Sequence, residues 1–246
     1  MQNLKIGIPF IELQQVDSTN NYATALVRAG MAQSGTVVLA HEQTKGRGQR
    51  SKSWNTKGSG NITMSVLITP DRGLEKMFLF SMAVAAGVHR FFNNHVPDDV
   101  TIKWPNDLYW RDRKAGGILI ENIIQNGEWK YSVVGIGINI NQTDFAAIVT
   151  KAVSLKQITG RDYDVLLLAK ELCGHLEWGI GLLMRHEEAV VHYYHQHLFM
   201  KDAEVRLKKE NRVFSTIVKG VNASGELITN NGIEALFSVG EVEWLL

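Results

Sequence analysis

Apolar positions in the first four fifths of the chain alternate between the two-residue repeat of a β-strand and the roughly 3.6-residue repeat of an α-helix. Strand-like runs occur at residues 36–42, 61–69, 100–104, 116–124 and 131–140. Helical patterns occur at residues 18–30, 74–94, 164–185 and 187–198. In the first helix, Ser18 or Thr19 is suited to be the N-cap and Gly30 to be the stop. The pattern predicts an α+β fold with a mixed, mostly antiparallel central sheet flanked by helices.

Beyond Lys201 the pattern changes to short β-like runs separated by turn signals. The runs are residues 204–209, 213–221, 226–230, 234–239 and 241–246. "NASG" and "NNG" between them are typical of hairpin turns. We therefore predict two domains, residues 1–199 and a small all-β barrel at residues 200–246.

Charge and composition limit the partners and the cellular compartment that we expect for the protein. The 246-residue chain carries 26 Lys+Arg against 25 Asp+Glu and has no broad field for nucleic acid or an anionic membrane. Its single cysteine, Cys173, lies in an apolar helical pattern and has no intramolecular partner, which fits a buried thiol in a reducing compartment. The longest apolar run, residues 77–88, is too short to span a bilayer, and the N-terminus lacks signal-peptide features. We expect a cytoplasmic protein, and an anionic ligand would need a local basic cluster.

"KGRGQRSKSW", residues 45–54, is such a cluster. From Gln43 to Pro70 there is no acidic residue. The basic residues in this interval are Lys45, Arg47, Arg50, Lys52 and Lys57. Interspersed glycines let backbone N–H groups approach a ligand, and guanidinium groups donate in pairs to phosphate or carboxylate oxygens. The composition fits an anion site or a solvated surface loop, and the segment matches neither a Walker loop nor a dinucleotide fingerprint.

A second constellation is "KWPNDLYWRDRKAGGILIE", residues 103–121. Pro105 interrupts strand pairing, so we expect Lys103, Asn106 and Asp107 at the mouth of the sheet. Lys114 heads an apolar strand and is followed by two glycines, which leave space for a ligand near the backbone. The alternative for this segment is a β-bulge with a solvated lysine.

Histidine and tryptophan clusters elsewhere predict no further site. "HYYHQH", with His192, His195 and His197, lies in a helical pattern without acidic or cysteine partners at metal-ligand spacing, so we expect a helix surface. Trp244 is expected to be a core aromatic residue.

The order of four motifs, "DSTN", "EQTKGRGQRSKSW", "KWPNDLYW…RKAGGILIE" and "GIGININ", resembles a biotin protein ligase of the short form. The resemblance covers essentially the whole chain. It implies a catalytic domain of the biotin–lipoate ligase, class II synthetase-like fold, followed by an SH3-like barrel. It also implies a two-step reaction in which biotin and Mg²⁺-ATP form biotinyl-adenylate and pyrophosphate. A lysine of a biotin carboxyl carrier protein or domain would then take the biotin and release AMP.

The resemblance also implies roles for individual residues. Catalytic roles fall to Lys114, Arg47, Lys103 and Asp107. Biotin would be bound by Ser18, Thr19, Asn20, Gln43, Gly46, Arg47, Lys114 and Gly117. The nucleotide would be bound by Arg50, Lys52, Trp54, Lys103, Asn106, Asp107 and Asn139. No residue is assigned to the metal.

The chain departs from the family pattern at Gln49, where arginine is usual, so a neutral amide would hold the adenylate phosphate less strongly. Lys52, where arginine is common, keeps the charge but loses the two-pronged donor. A lipoate ligase or octanoyltransferase of the same superfamily is the alternative, although the "RRxxGG" segment of those enzymes is missing. A DNA-binding repressor is disfavoured because the first motif begins at Asp17, too early for a preceding winged helix. The carrier and the formation of a homodimer stay open.

Overall fold

A mixed seven-stranded sheet forms the first part of the structure. The computed structural model describes residues 4–49, 53–54, 60–71, 73, 76–96, 98–145 and 151–245. The strands are β1 (Phe10–Val16), β2 (Val37–Gln43), β3 (Asn61–Ile68), β4 (Val100–Lys103), β5 (Asp107–Trp110), β6 (Arg113–Gln125) and β7 (Glu128–Asn139). They lie in the order β1-β2-β3-β7-β6-β5-β4, with β1 and β2 parallel and the other neighbouring pairs antiparallel. The predicted mixed, mostly antiparallel sheet is confirmed.

Helices cover both faces of this sheet, which is why its central strand β3 is buried along its whole length. The helices are α1 (Thr19–Arg28), α2 (Met77–His95), α3 (Leu155–Thr159), α4 (Val165–Arg185) and α5 (Glu187–Gln196). The main core joins α2 and α4 to one face through Ile62, Met64 and Val66. A smaller core joins α1 to the other face through Ala23, Val38 and Leu67. Alternate residues of β3 thus face one core with apolar side chains, whereas on the other face only Leu67 joins the second core.

A second, antiparallel sheet follows the helices. Its strands are β8 (Glu204–Lys209), β9 (Arg212–Val221), β10 (Leu227–Asn230), β11 (Glu234–Phe237) and β12 (Glu243–Trp244), in the order β11-β10-β9-β8-β12. The predicted C-terminal β region is confirmed, whereas the domain boundary near residue 200 stays a prediction. Trp104 Nε1 donates a buried 2.9 Å hydrogen bond to the Gly225 carbonyl and so joins the two sheets.

Two of the three histidines predicted for a helix surface pack against other elements instead of facing solvent. His195 Nε2 is 2.8 Å from the Val221 carbonyl oxygen of the second sheet. The His197 ring stacks on buried His89, with 4.1 Å between the ring centroids. Sequence periodicity missed these contacts because they join α5 to elements that are distant along the chain. Cys173 is 5% exposed and confirms the predicted core thiol.

Three elements were not predicted: β1, β5 and α3. β1 lies at the edge of the sheet and exposes Glu12, Gln14 and Gln15, so it lacks the apolar signal of a central strand. β5 has only four residues and follows Pro105, and the sequence of this segment was interpreted as a candidate binding site rather than as a strand. Within the described residues, no helix has both the length and the apolar character needed to cross a membrane.

Candidate functional site

A cavity of about 1180 Å³ lies between the two sheets. Most residues singled out from the sequence line it, namely Ser18, Thr19, Asn20, Gln43, Arg47, Trp54, Lys103, Asn106, Asp107, Lys114, Gly117 and Asn139. The loop after β2 supplies Gly48 and Gln49 as well. Arg50 and Lys52, also assigned to the nucleotide, lie outside the described residues. The volume exceeds the roughly 300–1,000 Å³ that is usual for small-molecule sites, which leaves room for two substrates.

Strand register creates two ends in this cavity. Lys103 pairs with Asp107, Asp107 with Gly117, and Gly117 with Gly137, which forms one row across β4, β5, β6 and β7. Leu119, Gly135 and Ser65 form the next row on the same face, two residues along each strand. Rows two residues apart are separated by roughly 7 Å. The first row carries the charged residues and defines the charged end; the second, with the start of α1, defines the neutral end.

At the neutral end, the start of α1 packs against the end of β2. Ser18 has an extended backbone with φ −157° and is the N-cap, as predicted. Thr19 donates to Gln43 Oε1 through both its backbone N–H, at 2.8 Å, and its hydroxyl, at 3.1 Å. Ser18, Thr19 and Asn20 are each at most 3% exposed. These polar groups are held in fixed positions by the protein's own hydrogen bonds.

Ser65 completes the neutral end and was not singled out from the sequence. Its fully buried hydroxyl lies 2.7 Å from Thr19 Oγ1 and 2.6 Å from Asn20 Oδ1. A serine in the middle of the apolar run "NITMSVLI" was the available signal, because a buried polar group needs a partner. Gly135 makes the arrangement possible, since a Cβ there would lie 2.4 Å from Asn20 Oδ1.

The described parts of the glycine-rich loop, residues 45–49 and 53–54, lie beside the cavity and are joined by short backbone contacts. The Gly46 carbonyl accepts a 2.9 Å hydrogen bond from the Trp54 N–H, and a Cβ at Gly46 would lie 2.2 Å from the Trp54 carbonyl oxygen. The Trp54 ring lies on Gly137, where a Cβ would come within 2.3 Å of the indole. Lys114 Nζ is 5.9 Å from the centroid of the same ring. Trp54 therefore packs at the junction of the two ends.

Arg47 does not point a free guanidinium into the cavity. Its Nη2 and Nη1 atoms bind the Glu121 carboxylate at 2.6 and 3.2 Å, and Nη1 also binds Asn21 Oδ1 at 2.9 Å. Its predicted catalytic role stays a prediction, and the charge of its side chain is already paired in this structure.

An ion pair forms the centre of the charged end. Lys114 Nζ and Asp107 Oδ1 are 2.6 Å apart, with side chains 24% and 22% exposed. A Cβ at Gly117 would lie 3.2 Å from Asp107 Oδ1 and 3.4 Å from Lys114 Nζ, so a larger residue there would press closely on this pair. The Asn106 side-chain amide donates to the Ile118 carbonyl, which fixes the turn between β4 and β5. Asp107 and Lys114 therefore meet at an end of the cavity that Asn106 also lines.

Lys103 is positioned by two aromatic residues that the sequence did not identify as site residues. Its Nζ lies 3.3 Å from the Tyr109 hydroxyl, 4.9 Å from the Tyr109 ring centroid and 5.4 Å from the Trp244 ring centroid. Burial, and then the nearby Asp107 and Asp112 charges, raise the pKa of Tyr109, so its hydroxyl stays neutral. Trp244 packs against the main core, as expected, but it is half-buried and also lines the cavity from the second sheet.

Asn139 supports Lys114 from behind. Its side-chain amide donates to the carbonyls of Val153, at 3.1 Å, and Lys114, at 3.4 Å. Its predicted contact with the nucleotide stays a prediction. In the part of the chain that the structure describes, no group of three His, Cys, Asp or Glu side chains is arranged to hold a metal ion.

Known proteins resemble the chain at the level of sequence and fold. It is 28% identical over 213 residues to the bifunctional ligase/repressor BirA of Bacillus subtilis, covering 84% of this chain and 66% of BirA. It is 31% identical over 158 residues to the biotin–[acetyl-CoA-carboxylase] ligase of Paracoccus denitrificans, covering 62% of this chain and 65% of that protein. The chain thus spans slightly less than two thirds of the length of either relative.

The fold has a close counterpart among solved structures. The biotin protein ligase of Aquifex aeolicus in complex with biotin and ATP superposes with a TM-score of 0.80 at 23% identity, covering 96% of this chain and 98% of that one. The family model described as the biotin/lipoate A/B protein ligase family matches residues 12–139, just over half of the 246 residues. The chain therefore belongs to the biotin/lipoate A/B protein ligase family.

Proposed function

We propose that the protein is a biotin protein ligase. It would activate biotin with ATP as biotinyl-5′-AMP and transfer the biotin to a lysine of a biotin carboxyl carrier protein or domain. The observation that carries the proposal is one cavity with a buried neutral network at one end and the Lys114–Asp107 pair at the other. The uncharged polar groups at one end match the ureido ring of biotin, and the charged groups at the other end match the phosphates of ATP.

The neutral end suits the ureido ring of biotin. Ser65 has one hydroxyl proton between two oxygen atoms, Thr19 Oγ1 and Asn20 Oδ1, so lone pairs remain for an N–H donor from a ligand. Ureido N–H groups are such donors. Met64, Ile118 and Ile136 also line the cavity and offer an apolar wall for the rest of the biotin molecule.

The charged end suits Mg²⁺-ATP. Magnesium is usually held by one or two carboxylates together with substrate phosphates, rather than by a cage of protein ligands alone. Asp107 and the amide oxygen of Asn106 are oxygen donors at this end and fit that role. When bound, the ion would neutralise phosphate charge. Lys103, between Tyr109 and Trp244, would bind the nucleotide phosphates.

In the first step, an oxygen of the biotin carboxylate attacks the α-phosphorus of ATP, and the bond from phosphorus to the bridging oxygen of pyrophosphate breaks. Both reactants are anions, so fixed cations must offset their repulsion and the charge that develops in the transition state. Lys114, at the charged end and 5.9 Å from the centroid of the Trp54 ring at the junction of the two ends, would contact both anions. Asp107 would then no longer be paired with Lys114 and could hold the metal ion.

In the second step, the neutral amine of the carrier lysine attacks the acyl carbon of biotinyl-adenylate. An amide bond forms, the bond from the acyl carbon to the phosphate oxygen breaks, AMP leaves, and the amine loses a proton. The Paracoccus relative is named as a ligase for acetyl-CoA carboxylase, which supports a carboxylase carrier domain as the acceptor.

Mass spectrometry of a biotin carboxyl carrier domain tests this function. The domain is incubated with the protein, Mg²⁺-ATP and either biotin or lipoate. We expect the mass of one biotinyl group on the carrier lysine, with ATP required. Modification by lipoate at a comparable rate would instead support a lipoate ligase, the other activity in the name of the family.

A further inference from the structure

A β-bulge in β6 lies directly beside Lys114. Leu108 of β5 pairs with Gly116 of β6. The next residue of β5, Tyr109, pairs with Lys114, so that Ala115 is an extra residue on β6. A bulge of this kind bends the strand and turns a neighbouring side chain to a new direction.

The bulge explains how Lys114 comes to face the cavity. Gly117 lies in the row of residues at the charged end, opposite Asp107. Because side chains alternate along a strand, a residue three positions before Gly117 would face the other side of a regular strand. With the extra residue in between, Lys114 Nζ instead lies 2.6 Å from Asp107 Oδ1. The direction of the Lys114 side chain therefore depends on the bulge.

Residues 151–153 hold the backbone of β6 at this bulge. The pairing of β6 with β7 reaches only as far as Gly116. Beyond it, the Lys114 N–H donates to the Lys151 carbonyl at 2.8 Å, and the Val153 N–H donates to the Lys114 carbonyl at 2.9 Å. The backbone on both sides of the Lys114 side chain is thus fixed by a segment outside the long strands of the sheet.

Arg113, the residue before Lys114, binds the same segment through its side chain. Its Nε and Nη2 atoms both donate to the Ala152 carbonyl, at 3.1 and 2.6 Å. Nη2 also lies 3.3 Å from Gln157 Oε1, and Gln157 forms a capping box with Ser154 at the start of α3. A guanidinium can make this two-pronged contact, whereas an ammonium cannot. Arg113 thereby joins the beginning of β6 to the segment that leads into α3.

We propose that Arg113 is a positioning residue for Lys114. By binding the Ala152 carbonyl, it keeps residues 151–153 paired with the bulge and so directs the Lys114 ammonium toward the cavity. Of two adjacent cations, one fixes the backbone and the other meets the substrates. The contacts stand without the proposed function, whereas the effect on catalysis rests on it.

Hydrogen exchange of the ligand-free protein tests the contact without an assay of activity. In Arg113→Met, the amides of Lys114 and Val153 should exchange about tenfold faster, the scale of losing a hydrogen bond to a charged group. Arg111→Met is the matched control, because Arg111 pairs with Asp99, is 63% exposed and lies outside the cavity lining. Unchanged exchange at both amides would overturn the inference.

Kinetics of adenylate formation test the effect on Lys114. Arg113→Met should lower kcat about tenfold and change the KM for ATP less than about twofold, because a misdirected ammonium stabilises the transition state poorly. Arg113→Lys, which can make only a single-pronged contact, should recover part of kcat, and it replaces Arg113→Met if that variant does not fold. A higher KM for ATP at unchanged kcat would mean that Arg113 binds the nucleotide directly, which would overturn the positioning role.

A double variant separates positioning from a general loss of stability. In Lys114→Ala, adding Arg113→Met should lower kcat/KM little further, because the cation that Arg113 positions is already gone. A further loss of about tenfold would mean that Arg113 acts independently of Lys114 and would overturn the inference. Faster exchange in Arg113→Met, in a protein whose unaltered form makes no biotinyl-adenylate, would support the Arg113 contact and contradict the proposed function instead.

Discussion

The polar groups at the two ends of the cavity are held by different interactions: hydrogen bonds between uncharged groups at one end and an ion pair at the other. At the neutral end, Ser65, Thr19 and Asn20 are at most 3% exposed and bind one another as uncharged groups. At the charged end, Lys114 and Asp107 are paired as ions, with 24% and 22% of their side chains exposed. The side chains of the neutral network are almost fully buried, whereas those of the ion pair are partly exposed to water.

This difference indicates which end is preformed. A buried polar group that loses its partner costs about 1–3 kcal/mol, so the neutral network has little freedom to rearrange. The Lys114–Asp107 pair keeps some contact with water, and each member can exchange its partner for a substrate ion of the same charge, so that no buried charge is left unpaired. We infer that the neutral end selects its ligand by fixed shape, and that the charged end changes partners during the reaction.

Removing the cation of the charged end should have the largest effect. Lys114→Ala should lower kcat/KM for adenylate formation by roughly two orders of magnitude or more, because the side chain contacts both anions in the transition state. The measurement is pyrophosphate release with biotin and ATP. Lys151→Ala is the control, because Lys151 lies next to Lys114 but is 69% exposed and pairs with Asp112. Near-normal release by Lys114→Ala would refute its assigned role.

Breaking the neutral network should have the next largest effect. Ser65→Ala removes the hydroxyl between Thr19 and Asn20 and should raise the Kd for biotin about tenfold, with the KM for ATP little changed. Thr63→Val is the control, since it removes a buried hydroxyl from the same strand that donates to the Ala40 carbonyl. A loss of affinity for ATP equal to that for biotin would mean that the two ends are not separable.

A variant of Trp244 should have the opposite selectivity, with weaker binding of ATP and normal binding of biotin. Trp244→Leu removes one of the two aromatic faces around Lys103 and should raise the KM for ATP about three- to tenfold while leaving biotin affinity unchanged. Trp178→Leu is a matched control, because the Trp178 ring does not line the cavity. Its centroid lies 4.5 Å from the Arg90 guanidinium carbon, so the variant also removes an aromatic face beside a cation. Equal effects of the two leucine variants would indicate a general loss of packing rather than a role for Trp244 in the site.

Gln49 is expected to have the smallest effect. It lines the cavity where arginine is usual, so Gln49→Arg should slow the escape of biotinyl-adenylate about two- to fivefold by supplying a charged donor. Dissociation of the intermediate is measured by chasing labelled adenylate with an unlabelled excess. An equal or faster escape would show that other residues of the loop already supply this charge.

The sequence identified most residues at both ends of the cavity but missed Ser65 at the neutral end and Tyr109 and Trp244 at the charged end. Lys103, Asn106, Asp107 and Lys114 lie close together along the chain, and the turn at Pro105 indicated where they would project. Ser65 could not be placed because its role depends on the register of β3 against β7 and on the packing of α1. Such contacts between distant segments have no local signature.

The same limit applies to the fold. Long strands and helices with clear periodicity were predicted with small errors at their ends, as with α4, whereas the short strand β5 and the edge strand β1 were missed. Trp244 was placed in the core because its pattern is apolar, and only the packing of the second sheet against Lys103 brings it to the cavity.

Exchange of labelled pyrophosphate into ATP, without any carrier protein, tests the central claim most directly. The claim is that one cavity binds biotin at its neutral end and ATP at its charged end, with Lys114 between them. We predict exchange that requires biotin, is not supported by lipoate, and is lost in Lys114→Ala while Lys151→Ala retains it. Exchange that needs lipoate instead, or that survives the loss of Lys114, would contradict the account.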